Sequence, residues 1–171
     1  MDLDFLHNNR NKIRTYTGKL VDVFNITEDD IDILDIAHSL SMQCRFNGHI
    51  RSFYSVAEHS IFVADNVPDE DKLCALLHDA SETYIADIPS PIKAKLDYYK
   101  SVEDKIQAVI AKKFGFPYPF PKTVHVADKL GLEYEWKHKV LDDTVISMSS
   151  GFAETSFLLY FDKLINLKNN E

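Results

Sequence analysis

Within one run of seven residues, Leu76-Leu77-His78-Asp79-Ala80-Ser81-Glu82, an imidazole and two carboxylates sit inside an apolar repeat of helical spacing. At about 100° per residue, Leu73, Leu76, Leu77, Ala80 and Tyr84 share one arc of a helix. His78, Asp79 and Glu82 fall on the opposite arc, together with the small residues Ala75 and Ala86. Such a segment has to bury one side in a core while the other lines a polar cleft. The chain is thereby restricted to folds that pack helices around a polar opening. Neighbouring residues point about 100° apart, so His78 and Asp79 converge only on something lying just above the helix surface. Any further groups meeting there must come from other helices.

The helical period returns along most of the chain, and local punctuation separates the elements. Arg14-Thr15-Tyr16-Thr17-Gly18-Lys19-Leu20-Val21 reads as either a short hairpin or an extended arm. From Thr27, a capping residue, the pattern turns helical: Asp29 and Asp30 suit a first turn, and Ile33, Ile36, Ala37 and Leu40 share a face. Residues 44–54 lose the period and contain the turn signal Asn47-Gly48. They read as a cationic, aromatic loop carrying Arg45, Phe46, His49, Arg51, Phe53 and Tyr54. Ser55-Val56-Ala57-Glu58 is a capping box, which starts a helix by satisfying open backbone N–H groups. That helix is expected to reach Asn66 and to stop before Pro68. Asp69 or Asp71 caps the next, which carries His78 and is expected to run to about Asp87. Pro89 and Pro91 punctuate a short helix through Leu96, and further helices are expected over 101–114 (closed by Gly115), 123–141 and 154–168. Residues 142–153 read as a polar loop, and 169–171 as a frayed tail. The prediction is an all-α fold: one domain over residues 1–171, a helical bundle of five to seven helices with its core at about 27–141.

Composition narrows the function classes. Of 171 residues 45% are hydrophobic, enough for a core without disulfides. Nineteen Lys and Arg against 27 Asp and Glu give a net charge of -8, which argues against a nucleic acid polymer as partner. Cys44 and Cys74 make no metal-type pair and no disulfide framework, and Cys74 reads as a small buried hydrophobe. No apolar run has the length of a membrane span. The N-terminus lacks a basic region followed by an apolar one, so a cytoplasmic location is expected.

Imidazole nitrogen and carboxylate oxygen together suit a hard or borderline divalent ion. His59, one turn into the helix opened by Ser55, is the upstream candidate for completing a site with His78 and Asp79. Asp128 is the downstream one, because Gly131 close behind it permits a near approach of helices. The order His59, His78-Asp79, Asp128 resembles the H…HD…D signature of the HD-domain metal-dependent phosphohydrolases. Tyr54-Ser55-Val56-Ala57-Glu58-His59-Ser60, Ala75-Leu76-Leu77-His78-Asp79-Ala80-Ser81-Glu82 and Ala86-Asp87-Ile88-Pro89 resemble the 5'-deoxynucleotidase branch. Ile36-Ala37-His38-Ser39-Leu40 and Cys44-Arg45-Phe46-Asn47-Gly48-His49 resemble more closely the small dATP triphosphohydrolases of bacterial viruses. The resemblance spans about residues 13–140.

The resemblance implies metal ligation by His59, His78, Asp79 and Asp128, with manganese, cobalt, zinc or magnesium as the ion. It also implies that Glu82, one turn beyond His78, orients and deprotonates the attacking water. Lys93 is the expected counter-charge for phosphate, with Lys95 as its rival. Arg45 offers a planar fork to sugar or phosphate and Phe46 a stacking face to a base, a position where related enzymes often carry Trp. Asn47 and His49 are further candidates for substrate contact. The expected reaction is hydrolysis of deoxynucleotide phosphates, dATP above all, which would deplete dATP from the pool. A 5'-deoxynucleotidase acting on monophosphates, or a non-catalytic nucleotide-binding regulator, are the competing readings. The implied partners are a deoxynucleotide substrate and further copies of the chain, as dimers or larger rings, in the cytoplasm (the host's if the chain is viral). His38 is expected to make a structural hydrogen bond and His125 to buttress Asp128. Asp87 either caps the helix after Ile88-Pro89 or touches a second metal. His7 and His138 have no partner legible in the sequence.

Overall fold

A computed structural model describes residues 11–169. His7, the N-terminal residues read as lacking a leader, and residues 170–171 of the tail lie outside them. Strands β1 (Lys12–Arg14) and β2 (Leu20–Asp22) pair antiparallel with Ile13 opposite Val21, so the N-terminal segment is a hairpin. Its turn is tied down by the buried Asp35, which accepts from the Thr17 amide at 2.6 Å and the Thr17 hydroxyl at 2.9 Å.

The rest of the regular structure is helical: α1 (Ile33–Met42), α2 (Val56–Asp65), α3 (Lys72–Leu76), α4 (Glu82–Ile85), α5 (Ser90–Lys93), α6 (Asp97–Phe114), α7 (Lys122–Glu135) and α8 (Ser150–Asn169). A π-helical turn, Trp136–Leu141, extends α7. The all-α class with a short hairpin is therefore as expected. Among the described residues there are eight α-helices, because the expected third helix is divided in two.

Local chemistry explains most boundaries. Helix α1 is capped by Asp32, whose carboxylate accepts from the Leu34 amide at 3.1 Å, and not by Thr27. Thr27 instead bonds Asp30 through its amide and hydroxyl, at 2.8 and 2.7 Å. Short polar side chains offer the backbone such turns as an alternative to helix. Ser55 caps α2 as expected, accepting from the Glu58 amide at 3.1 Å. Glu58 does not complete the box; its Oε2 accepts from the Met148 amide at 2.9 Å, across the fold. Gly115 closes α6 in the left-handed conformation, φ 70°.

The main departure from the expected helices lies around His78 and Asp79. The helix expected to reach about Asp87 breaks after Leu76 and resumes only at Glu82. Between them the chain runs through tight turns, with Ala80 donating to the Leu77 carbonyl at 3.1 Å and Glu82 to the Asp79 carbonyl at 3.0 Å. Gln107, buried on α6, makes the break tolerable by donating to the Leu77 carbonyl (2.8 Å) and accepting from the Ser81 amide (3.1 Å). An interrupted helix leaves such backbone groups without their regular helical partners. The two-arc picture fails accordingly, since His78, Ala80, Ser81 and Glu82 are all buried.

Helix α2 packs against α1, α3, α7 and α8, and α8 also covers α1 and α3. Ile36, Leu40, Val63, Leu76, Leu77, Ile106, Ile110 and Phe157 are sealed from solvent. Each such side chain contributes about 1.5–3 kcal/mol by burial. His59 is thereby held on a helix fixed from several sides. No described helix is long and apolar enough to cross a membrane.

Candidate metal centre

His59 projects from α2, His78 and Asp79 from the turns that split α3 from α4, and Asp128 from α7. The break brings His78 and Asp79 to one point, which neighbouring positions of a regular helix reach poorly. His59, His78 and Asp128 each offer a ligand atom within 4.8 Å of the others and could hold a metal ion. Asp79 stands beside this trio, with Oδ2 at 3.2 Å from His78 Nε2 and 3.7 Å from His59 Nε2. Asp128 Oδ1 lies 3.2 Å from His59 Nε2 and 3.9 Å from His78 Nε2. Two atoms each about 2.1 Å from one ion lie roughly 3 Å apart when adjacent and about 4.2 Å when opposite. The observed separations fall in that interval.

The protonation pattern also fits an ion. His78 Nδ1 lies 2.8 Å from the Ala75 carbonyl, which only accepts, so Nδ1 carries hydrogen and Nε2 is the atom turned to the cluster, with a lone pair free for an ion whenever the ring is neutral. His59 Nδ1 faces Glu135 Oε1 at 2.5 Å in the same sense. Both Nε2 atoms are buried and find no hydrogen-bond partner among the described residues. Buried polar nitrogens left this way are costly and call for a missing partner. Burial works to raise the Asp79 carboxyl, but His78, His59 and Arg45 outweigh it and hold it below the usual carboxylate range. Burial likewise opposes ionisation of Asp128, and the two imidazoles keep it low. Gly131 packs as expected: a Cβ there would meet His59 Cε1 at 3.2 Å.

A cavity of about 1050 Å³ opens beside the cluster, and Asp79, Glu82, Lys93, Asp128, Arg45, Phe46 and Asn47 all line it. Glu82 is buried, and its Oε2 has no hydrogen-bond partner among the described residues. Burial and then the negative neighbours Asp79 and Asp87 push its carboxyl well above the usual range, against Lys93 and Arg45. Lys93 Nζ lies 3.9 Å from Glu82 Oε1 and 2.5 Å from Glu103 Oε1. Lys93 lines the cavity, whereas its rival Lys95 is exposed and is not among the lining residues. Gln43 braces this wall by donating to the Glu82 carbonyl at 3.2 Å and accepting from the Asp87 amide at 3.0 Å.

The loop before α2 holds Arg45 in register through an isolated bridge between Cys44 and Ser55. Phe46 and Asn47 both take left-handed backbone, φ 56° and 53°, and Phe46 lies under the Arg45 guanidinium, 5.6 Å from ring centroid to Cζ. His49 also borders the cavity. Asp87 does not cap: α5 begins at Ser90 with Pro89 in the cap position and no side-chain cap, and Asp87 borders the cavity. His38 makes its structural bond, to Glu154 at 3.1 Å. His125 packs edge-on to Phe120, 6.1 Å between centroids, while the contacts of Asp128 go to the two imidazoles. Cys74 is buried as expected, its thiol pushed up to about 12 by burial.

Three residues that matter here escaped the sequence reading. Glu135, sealed from solvent, joins His59 Nδ1 (2.5 Å) to Arg45 Nε (2.9 Å). Its signal was available: Glu135 lies seven residues after Asp128, two turns along the same helix face. Glu103, which grips Lys93, gave none, because it lies on α6, away from every motif. Trp136, on the cavity wall, lies within the helix expected over 123–141, where no motif marks it.

The fold and site define a helical protein with a buried histidine–aspartate cluster that could hold a metal ion. No protein-family profile matches the chain. It is 40% identical over 172 residues to the uncharacterized protein YfdR of Escherichia coli (strain K12), spanning 91% of this chain and 97% of that protein. An uncharacterized protein of Rhodobacter capsulatus is 35% identical over 126 residues, 68% of this chain and 64% of its own length. The chain belongs to the family that contains YfdR.

Proposed function

We propose that the protein is an HD-domain metal-dependent phosphohydrolase that acts on deoxynucleotides, dATP above all. One observation carries the reading. The Nε2 atoms of His59 and His78, buried with no hydrogen-bond partner among the described residues, face the Asp79 and Asp128 carboxylates beside a cavity that Glu82 and Lys93 also line. A divalent ion held by these four side chains would polarise a phosphoryl oxygen and acidify water.

The chain's own groups divide the remaining work. Glu82 has a raised proton affinity, which suits it to orient the attacking water and take its proton at neutral pH. Lys93 neutralises charge developing on the phosphate. Arg45, held by Glu135, presents the rest of its guanidinium fork to phosphate or sugar oxygen. Phe46 and Asn47 border the space where sugar and base would lie.

The choice of dATP rests on the resemblance of residues 36–40 and 44–49 to the small dATP triphosphohydrolases. The test is incubation of the purified chain with each nucleotide and each of manganese, cobalt, zinc and magnesium, with products separated by chromatography. Metal-dependent loss of dATP is expected. Consumption of monophosphates alone would replace this reading by a 5'-deoxynucleotidase. Nucleotide binding without turnover under every metal would replace it by a regulator. A cytoplasmic homo-oligomer belongs to the same proposal, and a monomer by light scattering would remove that part.

A further inference from the structure

The cavity reaches beyond the groups that the chemistry uses. Asp128, Leu132, Trp136 and Val140 recur every four residues along α7 and its π-helical extension, and all four line it. At 1.5 Å per residue, Trp136 stands about 12 Å along the helix from Asp128. That is the direction and scale of a nucleotide laid from its phosphate across a sugar to its base. Trp136 is 53% exposed, although apolar neighbours at positions 132 and 140 flank it. π-Helical turns inside α-helices occur frequently at functional sites.

Phe46, the other aromatic here, is less suited to receive a base. Its ring already lies under the Arg45 guanidinium, at 5.6 Å. The rings of Phe46 and Trp136 are 6.3 Å apart and inclined by 56°, so they form a corner and not a parallel clamp. A flat ligand can lie on only one of them. The open one is the indole.

We infer that Trp136 is the platform on which the substrate's base stacks, with Leu132 and Val140 extending the apolar wall and Phe46 closing its corner. The inference rests on the deoxynucleotide reading of the site and adds the residue that recognises the base. A stacking platform favours the larger face of a purine over a pyrimidine and carries no hydrogen-bond readout. Preference for adenine over guanine therefore arises elsewhere.

Trp136 is the only tryptophan in the chain, so its fluorescence reports on this position alone. The emission of the full chain is titrated with deoxyadenosine, which has no phosphate to lose, and with 2-deoxyribose 5-phosphate, which has no base. Turnover of deoxyadenosine monophosphate and triphosphate is then measured for the native chain, Trp136→Ala and Trp136→Phe, with melting curves confirming that each variant folds. Deoxyadenosine is expected to quench the emission saturably and the sugar phosphate to leave it unchanged. Trp136→Ala is expected to raise KM about ten- to a hundredfold with kcat little changed, and Trp136→Phe to restore most of the loss. Phosphate release with unmoved emission and an unmoved KM in Trp136→Ala would overturn the platform and leave the hydrolase standing. Saturable quenching without phosphate release from any nucleotide would do the reverse.

Discussion

Two buried polar groups lie four residues apart on one helical rod, and they end differently. Lys139 is sealed inside the π-helical turn, donating to the Val145 carbonyl at 2.9 Å and the Ser147 hydroxyl at 2.8 Å. Its charge also faces the Tyr54 ring at 4.9 Å and Glu58 at 4.0 Å. Glu135, one turn earlier, is equally buried but ties Arg45 to His59, whose far nitrogen has no hydrogen-bond partner among the described residues. The lysine closes a network that pins the loop before α8. The glutamate orients a cluster that could hold a metal ion. Buried polar groups with every partner in place hold a fold together, whereas a cluster of unmet polar atoms beside a cavity marks where a ligand belongs.

Substitutions at the two places should therefore separate activity from stability. The largest effect is expected from Glu82→Gln, which should lower turnover about 10²–10⁴-fold while metal content and melting temperature stay near native. Unchanged phosphate release in that variant would remove Glu82 from the chemistry. Glu135→Gln should weaken metal binding roughly 10–100-fold, because a carboxylate behind a ligating histidine fixes its ring and strengthens its donor nitrogen. Isothermal titration with manganese reads this directly, and native affinity would reduce Glu135 to a structural partner of Arg45. Lys139→Met should do the opposite, costing about 1–3 kcal/mol in denaturant unfolding through the unsatisfied Val145 carbonyl, with metal stoichiometry unchanged. A Lys139→Met chain that folds natively but binds no metal would erase the distinction between the two networks.

The smallest effect concerns pH. Burial opposes charge on His78, but Asp79 and Asp128 prevail and raise its pKa above the ordinary 6.5. Without metal, the stabilisation from that charged ring is complete below about 6.5 and is lost as pH climbs through the raised folded value. An ion needs the same ring neutral. The gain in melting temperature on adding manganese should accordingly grow between about pH 6 and about pH 8. A gain that shrinks over that range would mean that His78 does not ligate.

The sequence was most informative where structure is local. Ser55 and Gly115 act as the caps their neighbours imply, and Gly131 lies against His59 as its small size allows. The interruption at residues 77–81 was not legible, because what stabilises it is Gln107, 26 and 30 residues further on. Asp32 displaced Thr27 as a cap because Thr27 had a nearer partner in Asp30. In the site, the grouping of His59, His78 and Asp128 could be read from motif order, while the groups packed behind them could not. Glu135, Glu103 and Gln43 act through tertiary pairings that leave only a weak helical spacing in the chain, or none.

The central claim is that His59, His78, Asp79 and Asp128 close around one divalent ion. The direct measurement is elemental analysis of the purified chain after manganese loading and gel filtration, beside His78→Ala and Asp128→Ala variants shown to be folded by circular dichroism. We predict about one ion per native chain and a large loss in each variant. A folded native chain that retains no metal, or variants that retain as much as it does, would contradict a metal centre at this site.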